Sequence, residues 1–212
     1  MIMKLFRFTL LLSFVFSNIC NIFSQDTINL LNGNQIIAKT VYEDSNNIFL
    51  KYDIKKRGKL KQKRVDKLDV FSIDFNNNRQ SIIYRRDTIL GYNLSINEME
   101  KFIKGEHEAI KYSKAPWITA TGVVVGFVPT AFYFNFYGLV TPVVYGTTIG
   151  IFNPKIKTSE NINKELKADK NFQEGYNIAA TRKRVKNALI GSVSGVVLAA
   201  ITSNIIYLIK KK

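Results

Sequence analysis

Hydrophobic and polar residues follow three different rhythms along this chain, and each predicts a different kind of element. Between residues 26 and 86, short apolar runs alternate loosely with polar positions and are cut by turn-forming residues. Residues 26–31 and 35–43 flank Asn32-Gly33, a pair whose preference for positive φ favours a hairpin. Residues 48–54 follow Asp44-Ser45-Asn46-Asn47, and residues 65–75 and 81–86 are separated by Asn76-Asn77-Asn78. Five short strands within residues 25–90 predict an antiparallel meander that closes into a small β roll or barrel.

From residue 95 the period becomes helical. Ser95-Ile96-Asn97-Glu98 is a capping box, in which the Ser and Glu side chains each satisfy the other's backbone N–H. It predicts a connecting helix over 95–114 with Met99, Phe102, Ile103, Ala109 and Ile110 on one apolar face. Gly105 weakens that helix from within. His107, the single histidine, lies between Glu106 and Glu108 and reads as a solvated residue of the polar face.

Residues 115–154 contain no charged side chain. At ~1.5 Å per residue this stretch is too long for one crossing of a hydrocarbon core about 30 Å thick. Two helices fit better, 117–134 and 137–152, with a break around 135–138 and helix-bending prolines at Pro129 and Pro142. Trp117, Tyr133 and Tyr137 lie near the ends of this apolar hairpin, where amphipathic rings favour the headgroup layer. A basic loop or helix over 155–187 leads to residues 188–209, a charge-free stretch long enough to span a membrane, and to the basic tail 210–212.

The start of the chain reads as an address. Residues 1–24 combine Lys4 and Arg7, an apolar run over 8–16, and Ser24 before Gln25, the pattern of a cleaved secretory signal peptide. An uncleaved anchor helix is the alternative. Cys20 lacks the residues that a lipidation site needs before it.

Each apolar segment carries two glycines four residues apart: Gly122/Gly126, Gly146/Gly150 and Gly191/Gly195. Such spacing gives a helix a flat strip on which another backbone can lie, and in lipid close packing replaces the missing hydrophobic drive. These six are the helix-packing candidates, within one molecule or between copies. A transmembrane β-barrel is a competing but weaker reading, because it needs at least eight strands and the remaining sequence cannot supply them.

Charge adds candidate surfaces. The chain holds 31 Lys+Arg against 16 Asp+Glu, a net charge of +15. Lys55, Lys56, Arg57, Lys59, Lys61, Lys63 and Arg64 crowd into ten residues between two strands, as a solvated hairpin loop or as a surface for anionic lipid headgroups. Arg182, Lys183, Arg184 and Lys186 precede the last apolar stretch, where headgroup contact is expected. Nucleic acid is not an expected partner, since no aromatic platforms interrupt the basic run. One His and one Cys leave no set for a zinc site, a disulfide framework or a Cys–His nucleophile, and no cofactor is expected. Phosphate-loop, G-x-S-x-G and H-E-x-x-H motifs are absent, so the chain does not read as an enzyme.

Phe102-Ile103-Lys104-Gly105-Glu106-His107-Glu108-Ala109, with Tyr112 beyond, runs into the glycine-rich hairpin. Phe172-Gln173-Glu174-Gly175-Tyr176 leads through Ala179, Ala180, Arg182 and Arg184 into the Gly191/Gly195 stretch. This combination resembles a group of uncharacterised exported proteins of Gram-negative envelopes, which pair an N-terminal β-rich segment with a C-terminal apolar module. The resemblance covers most of residues 26–205. It implies an envelope location and a membrane-associated module, and carries no activity, cofactor or catalytic residue with it.

The sequence therefore predicts an α+β chain: a small antiparallel β domain on the exported, periplasmic side, followed by a helical, glycine-packed, membrane-associated module. The expected function is that of a membrane-anchored cell-envelope protein with a structural or interaction role, its partners the membrane and a protein partner or further copies of itself. A self-associating glycine-packed pore is the alternative, and a lipid-directed enzyme is the weakest reading.

Overall fold

A computed structural model describes residues 25–43, 49–56, 59–87, 93–132 and 136–210. The signal-peptide segment, the 44–47 turn, Arg57, Tyr133 and the last two lysines of the tail lie outside them. Two small antiparallel sheets form the N-terminal half and helices the rest, an α+β arrangement. The strands are β1 (Asp26–Leu30), β2 (Gln35–Ala38), β3 (Thr40–Glu43), β4 (Phe49–Lys56), β5 (Lys59–Asp66), β6 (Val70–Asp74) and β7 (Gln80–Ile82). The helices are α1 (Ile96–Tyr112), α2 (Pro116–Phe132), α3 (Phe136–Ile151), α4 (Lys164–Ala168) and α5 (Lys170–Lys210).

The strand orders are β2-β1-β6-β7 and β3-β4-β5, so β6 crosses back to pair with β1 instead of continuing a meander. β2 and β3 are one run of chain bent at Lys39, whose N–H donates to the Asp53 carbonyl at 2.8 Å. The bend turns one sheet over the other and encloses Ile28, Ala38, Leu50, Tyr52, Val70 and Ile73. The β1–β2 connection spans four residues rather than two, and of Asn32 and Gly33 only Gly33 takes a positive φ, +73°. The chain closes there by a Gly33 N–H to Leu30 carbonyl bond of 3.1 Å.

The basic run is also not a loop. Lys55 and Lys56 end β4, and Lys59, Lys61, Lys63 and Arg64 lie exposed on β5 at the sheet's edge. Alternation fails to reveal this strand because most of it extends beyond the core, where neither face needs apolar residues.

A bulge joins the β unit to the helices. Asn29 pairs with Ser72 and Leu30 with Val70, which leaves Phe71 as the extra residue of β6. Phe71 packs with Tyr84, Met99 and Ile103 in the core beneath α1. α1 begins at the capping box: the Ser95 N–H donates to Glu98 Oε2 at 2.8 Å, and the Glu98 N–H to Ser95 Oγ at 3.4 Å.

α5 runs unbroken for 41 residues, so Arg182, Lys183, Arg184 and Lys186 sit inside a helix and no boundary falls at 187/188. α1 and α2, bent by 67° to each other, pack on successive stretches of it. α3 returns antiparallel, Gly146 meeting Leu189 and Gly150 meeting Val185.

Candidate functional site

The helix contacts are built on glycine. A Cβ at Gly105 of α1 would collide with the Phe172 carbonyl oxygen, and one at Gly175 of α5 with the Phe102 carbonyl oxygen. The two glycines thus let α1 and α5 touch backbone to backbone, flanked by the fully buried Phe172 and Tyr176. Further along, a Cβ at Gly191 would strike the Thr119 carbonyl, one at Gly195 the Val123 carbonyl, and one at Gly126 the Ser192 carbonyl. A Cβ at Gly122 would lie 3.0 Å from both Ala188 O and Ser192 N. Gly146 and Gly150 differ, since their nearest neighbours are side chains, Leu189 Cδ2 at 3.0 Å and Val185 Cγ2 at 3.3 Å. Spacing within one helix points to the last six; it does not reveal Gly105 and Gly175, which are partners across two helices.

The basic cluster of α5 is largely engaged within the chain. Lys183 Nζ donates to the Ile110 carbonyl at 2.7 Å and Arg184 Nη1 to the Phe152 carbonyl at 2.8 Å. Both cations thereby meet carbonyls near helix C-termini, the negative ends of the helix dipoles. Arg182 Nη2 stands 4.0 Å from Glu106 Oε1, and Lys186 is exposed.

Two acidic residues of α1 are buried against expectation. Glu106 is 2 % exposed, its Oε2 has no hydrogen-bond partner, and burial pushes its pKa up to about 7 against the pull of Arg182. The β1–β2 turn lies so close over it that a Cβ at Gly33 would collide with the Glu106 Cβ. Beside it His107 is half-buried, not solvated, with Nδ1 3.2 Å from the Gly33 carbonyl oxygen. Glu108 accepts the Ser159 N–H at 2.8 Å, which ties the segment after α3 across α1. Lys101 binds Asp169 at 2.7 Å and holds that carboxyl below its usual range.

Between α1 and the four-stranded sheet lies a cleft of about 260 Å³. Its sheet wall is a cross-strand polar ladder. Gln35 Nε2 donates to Asn29 Oδ1 at 2.9 Å, Asn29 Nδ2 to Asp74 Oδ2 at 2.7 Å, and Gln80 Nε2 to Asp74 Oδ1 at 2.8 Å. Its helix wall carries Lys104 and Glu100, paired at 2.6 Å, and His107. Among the described residues no three His, Cys, Asp or Glu side chains converge as metal ligands. The cleft can hydrogen-bond a small polar group.

Comparison of the chain with protein-family models, with curated proteins and with solved structures finds no match. Among the described residues one helix, α5, is long and apolar enough to cross a membrane, and 22 % of its most apolar window is buried.

Proposed function

We propose that this chain is a membrane-anchored cell-envelope protein with an interaction role, which carries its β unit outside the bilayer on a helical stem. One observation supports this reading above the others: the outer surface of α2, α3 and the C-terminal half of α5 is apolar, and five of its hydroxyls are satisfied from within their own helices. Val124, Val128, Phe132, Val143, Ile151, Val197, Ile201 and Ile205 are among its exposed residues. Thr121, Thr147, Thr148, Ser194 and Thr202 each donate to the carbonyl one turn back in their own helix, at 2.7–3.0 Å. Water makes such bonds unnecessary and hydrocarbon makes them obligatory.

On this reading residues 188–209 cross the bilayer, at about 33 Å of helix. α2 and α3, each about 25 Å long, enter as a hairpin and return the chain to the side on which it entered. The signal-peptide pattern of residues 1–24 supports an exported, periplasmic position for the β unit. The cleft and the exposed lysines of β5 supply the surfaces for a partner. The pore alternative draws less support, because Gly122, Gly126, Gly191 and Gly195 spend their flat strips on the α2–α5 contact within one chain.

Single cysteines in a Cys20→Ser background test the proposal. A maleimide that cannot cross the bilayer should label Gln62→Cys and Asn163→Cys from one side, and Lys210→Cys only after the membrane is opened. Release of the chain by alkaline carbonate, or labelling of all three positions from one side, would overturn it.

A further inference from the structure

Lys114 is the last charge before the charge-free stretch 115–154 and Lys155 the first after it, and the fold brings both to one place. They line an open pocket of about 330 Å³ together with Lys157, Arg184, Ser113, Asn153 and Trp117. Four cations meet there, and no carboxylate is among the lining residues. The geometry points to a binding site for the phosphate of an anionic phospholipid headgroup, a proposal that rests on the membrane-anchored reading above.

Two features make this more than a group of surface lysines. The pocket is held in shape from behind: the Lys157 N–H donates to the hydroxyl of the fully buried Tyr176 at 2.8 Å, and Arg184 is fixed on the Phe152 carbonyl at 2.8 Å. A guanidinium has five N–H donors in a rigid fork, so one such bond orients Arg184 and leaves it able to clasp a phosphate. Its position also matches the ligand. The bend between α1 and α2, the end of α3 and the middle of α5 meet where the chain changes from charged to charge-free, which on the proposed anchorage is the headgroup level. Trp117, exposed at the pocket's apolar side, supplies the amphipathic ring typical of that level. Basic pockets between membrane helices are known to select anionic headgroups. The charge supplies the attraction, the open mouth admits a diester, and the apolar flank of α2 receives the tails.

Trp117 is the chain's only tryptophan, so its fluorescence reports this pocket alone. The full chain is reconstituted in mixed vesicles with bromine on the acyl chains of either phosphatidylglycerol or phosphatidylcholine. At equal mole fraction, brominated phosphatidylglycerol should quench Trp117 as if it occupied the site about tenfold more often. Lys155→Gln with Lys157→Gln should reduce that preference by about an order of magnitude, since each cation near an anionic surface contributes a several-fold factor. Quenching by brominated phosphatidylcholine should be unchanged in the variant, which shows that α2 still sits in the bilayer. Equal quenching by the two lipids, or an unchanged preference in the variant, overturns the headgroup site and leaves the anchorage standing. No quenching by either lipid overturns the anchorage itself. Equal quenching by the two lipids, together with saturable binding of radiolabelled inorganic phosphate that the variant loses, would assign the pocket to free phosphate and overturn the lipid source.

Discussion

The two halves of α5 use the same backbone contact in different surroundings. Around Gly175 the contact with α1 is accompanied by large buried side chains, Phe172 and Tyr176, by the ion pair Lys101–Asp169 and by the Lys183–Ile110 bond. Around Gly191 and Gly195 the contact with α2 has no charged group near it, and the hydroxyls of Ser192 and Thr130 close on their own helices at 2.8 Å. In water, glycine sets how close the helices come while the hydrophobic effect draws them together. In an apolar surround that drive vanishes, so the close contact must itself supply the attraction. On the proposed anchorage the same residue sets the spacing in one half and provides the cohesion in the other.

The largest expected effect tests this difference directly. Gly195→Leu drives a side chain into the Val123 carbonyl and the Phe127 amide, and Gly175→Leu drives one into the Phe102 backbone. Overpacking costs ~1–3 kcal/mol where neighbours can yield, and more where the obstacle is backbone. Both variants of the full chain in neutral detergent should lose cooperative thermal unfolding by circular dichroism, Gly195→Leu the more completely. Gly146→Leu, which meets only the Leu189 side chain at 3.0 Å, should cost about 1 kcal/mol. A greater loss from Gly146→Leu than from Gly195→Leu would dissolve the distinction.

The next effect belongs to the half of α5 around Gly175 alone. Glu106 titrates near 7 when folded, well above its ordinary value of 4.5. Below the lower value both states hold the proton and the group costs nothing. As pH rises to the upper value the unfolded chain releases the proton first, so stability falls, and above it the full penalty stands. Glu106→Gln should abolish that decline, which amounts to about 3 kcal/mol between pH 4 and pH 8 at most. The readout is the difference between the two pH profiles of unfolding, since the amide carries its own fixed cost. Parallel profiles would show that Glu106 is solvated in the folded chain.

Ser95→Ala removes half of the capping box and should cost ~1 kcal/mol, seen as a lower unfolding midpoint at constant cooperativity. That helix start was readable because its signal is local: four consecutive residues specify it. The α+β class was readable for a similar reason, because the shift from short alternating runs to long apolar stretches needs no knowledge of contacts. What escaped reading depends on partners far away in sequence. Gly105 looks like a weak point in α1 until Gly175, seventy residues on, lies against the same seam. Glu106 and Glu108 look like a polar face until the β1–β2 turn and the segment after α3 cover them. Arg182–Lys186 interrupts the apolar pattern like a loop, but Lys183 and Arg184 are taken up by carbonyls at the ends of other helices, and α5 continues through it.

The smallest effect concerns β5, whose lysines stand exposed on an edge strand. Lys61 and Lys63 share a face with Ile54 and Tyr52 of β4 but stand exposed at the sheet's edge. Lysines on an edge strand hinder pairing with another chain while adding little to the fold. Lys61→Gln with Lys63→Gln should therefore move stability by no more than about 0.5 kcal/mol. The same change should increase self-association at high salt, measured by light scattering of the full chain in detergent. A marked loss of stability would mean that these lysines hold the sheet together. Unchanged scattering would mean that the edge is protected by something other than charge, and the basic run would then have to be explained by a partner rather than by the fold.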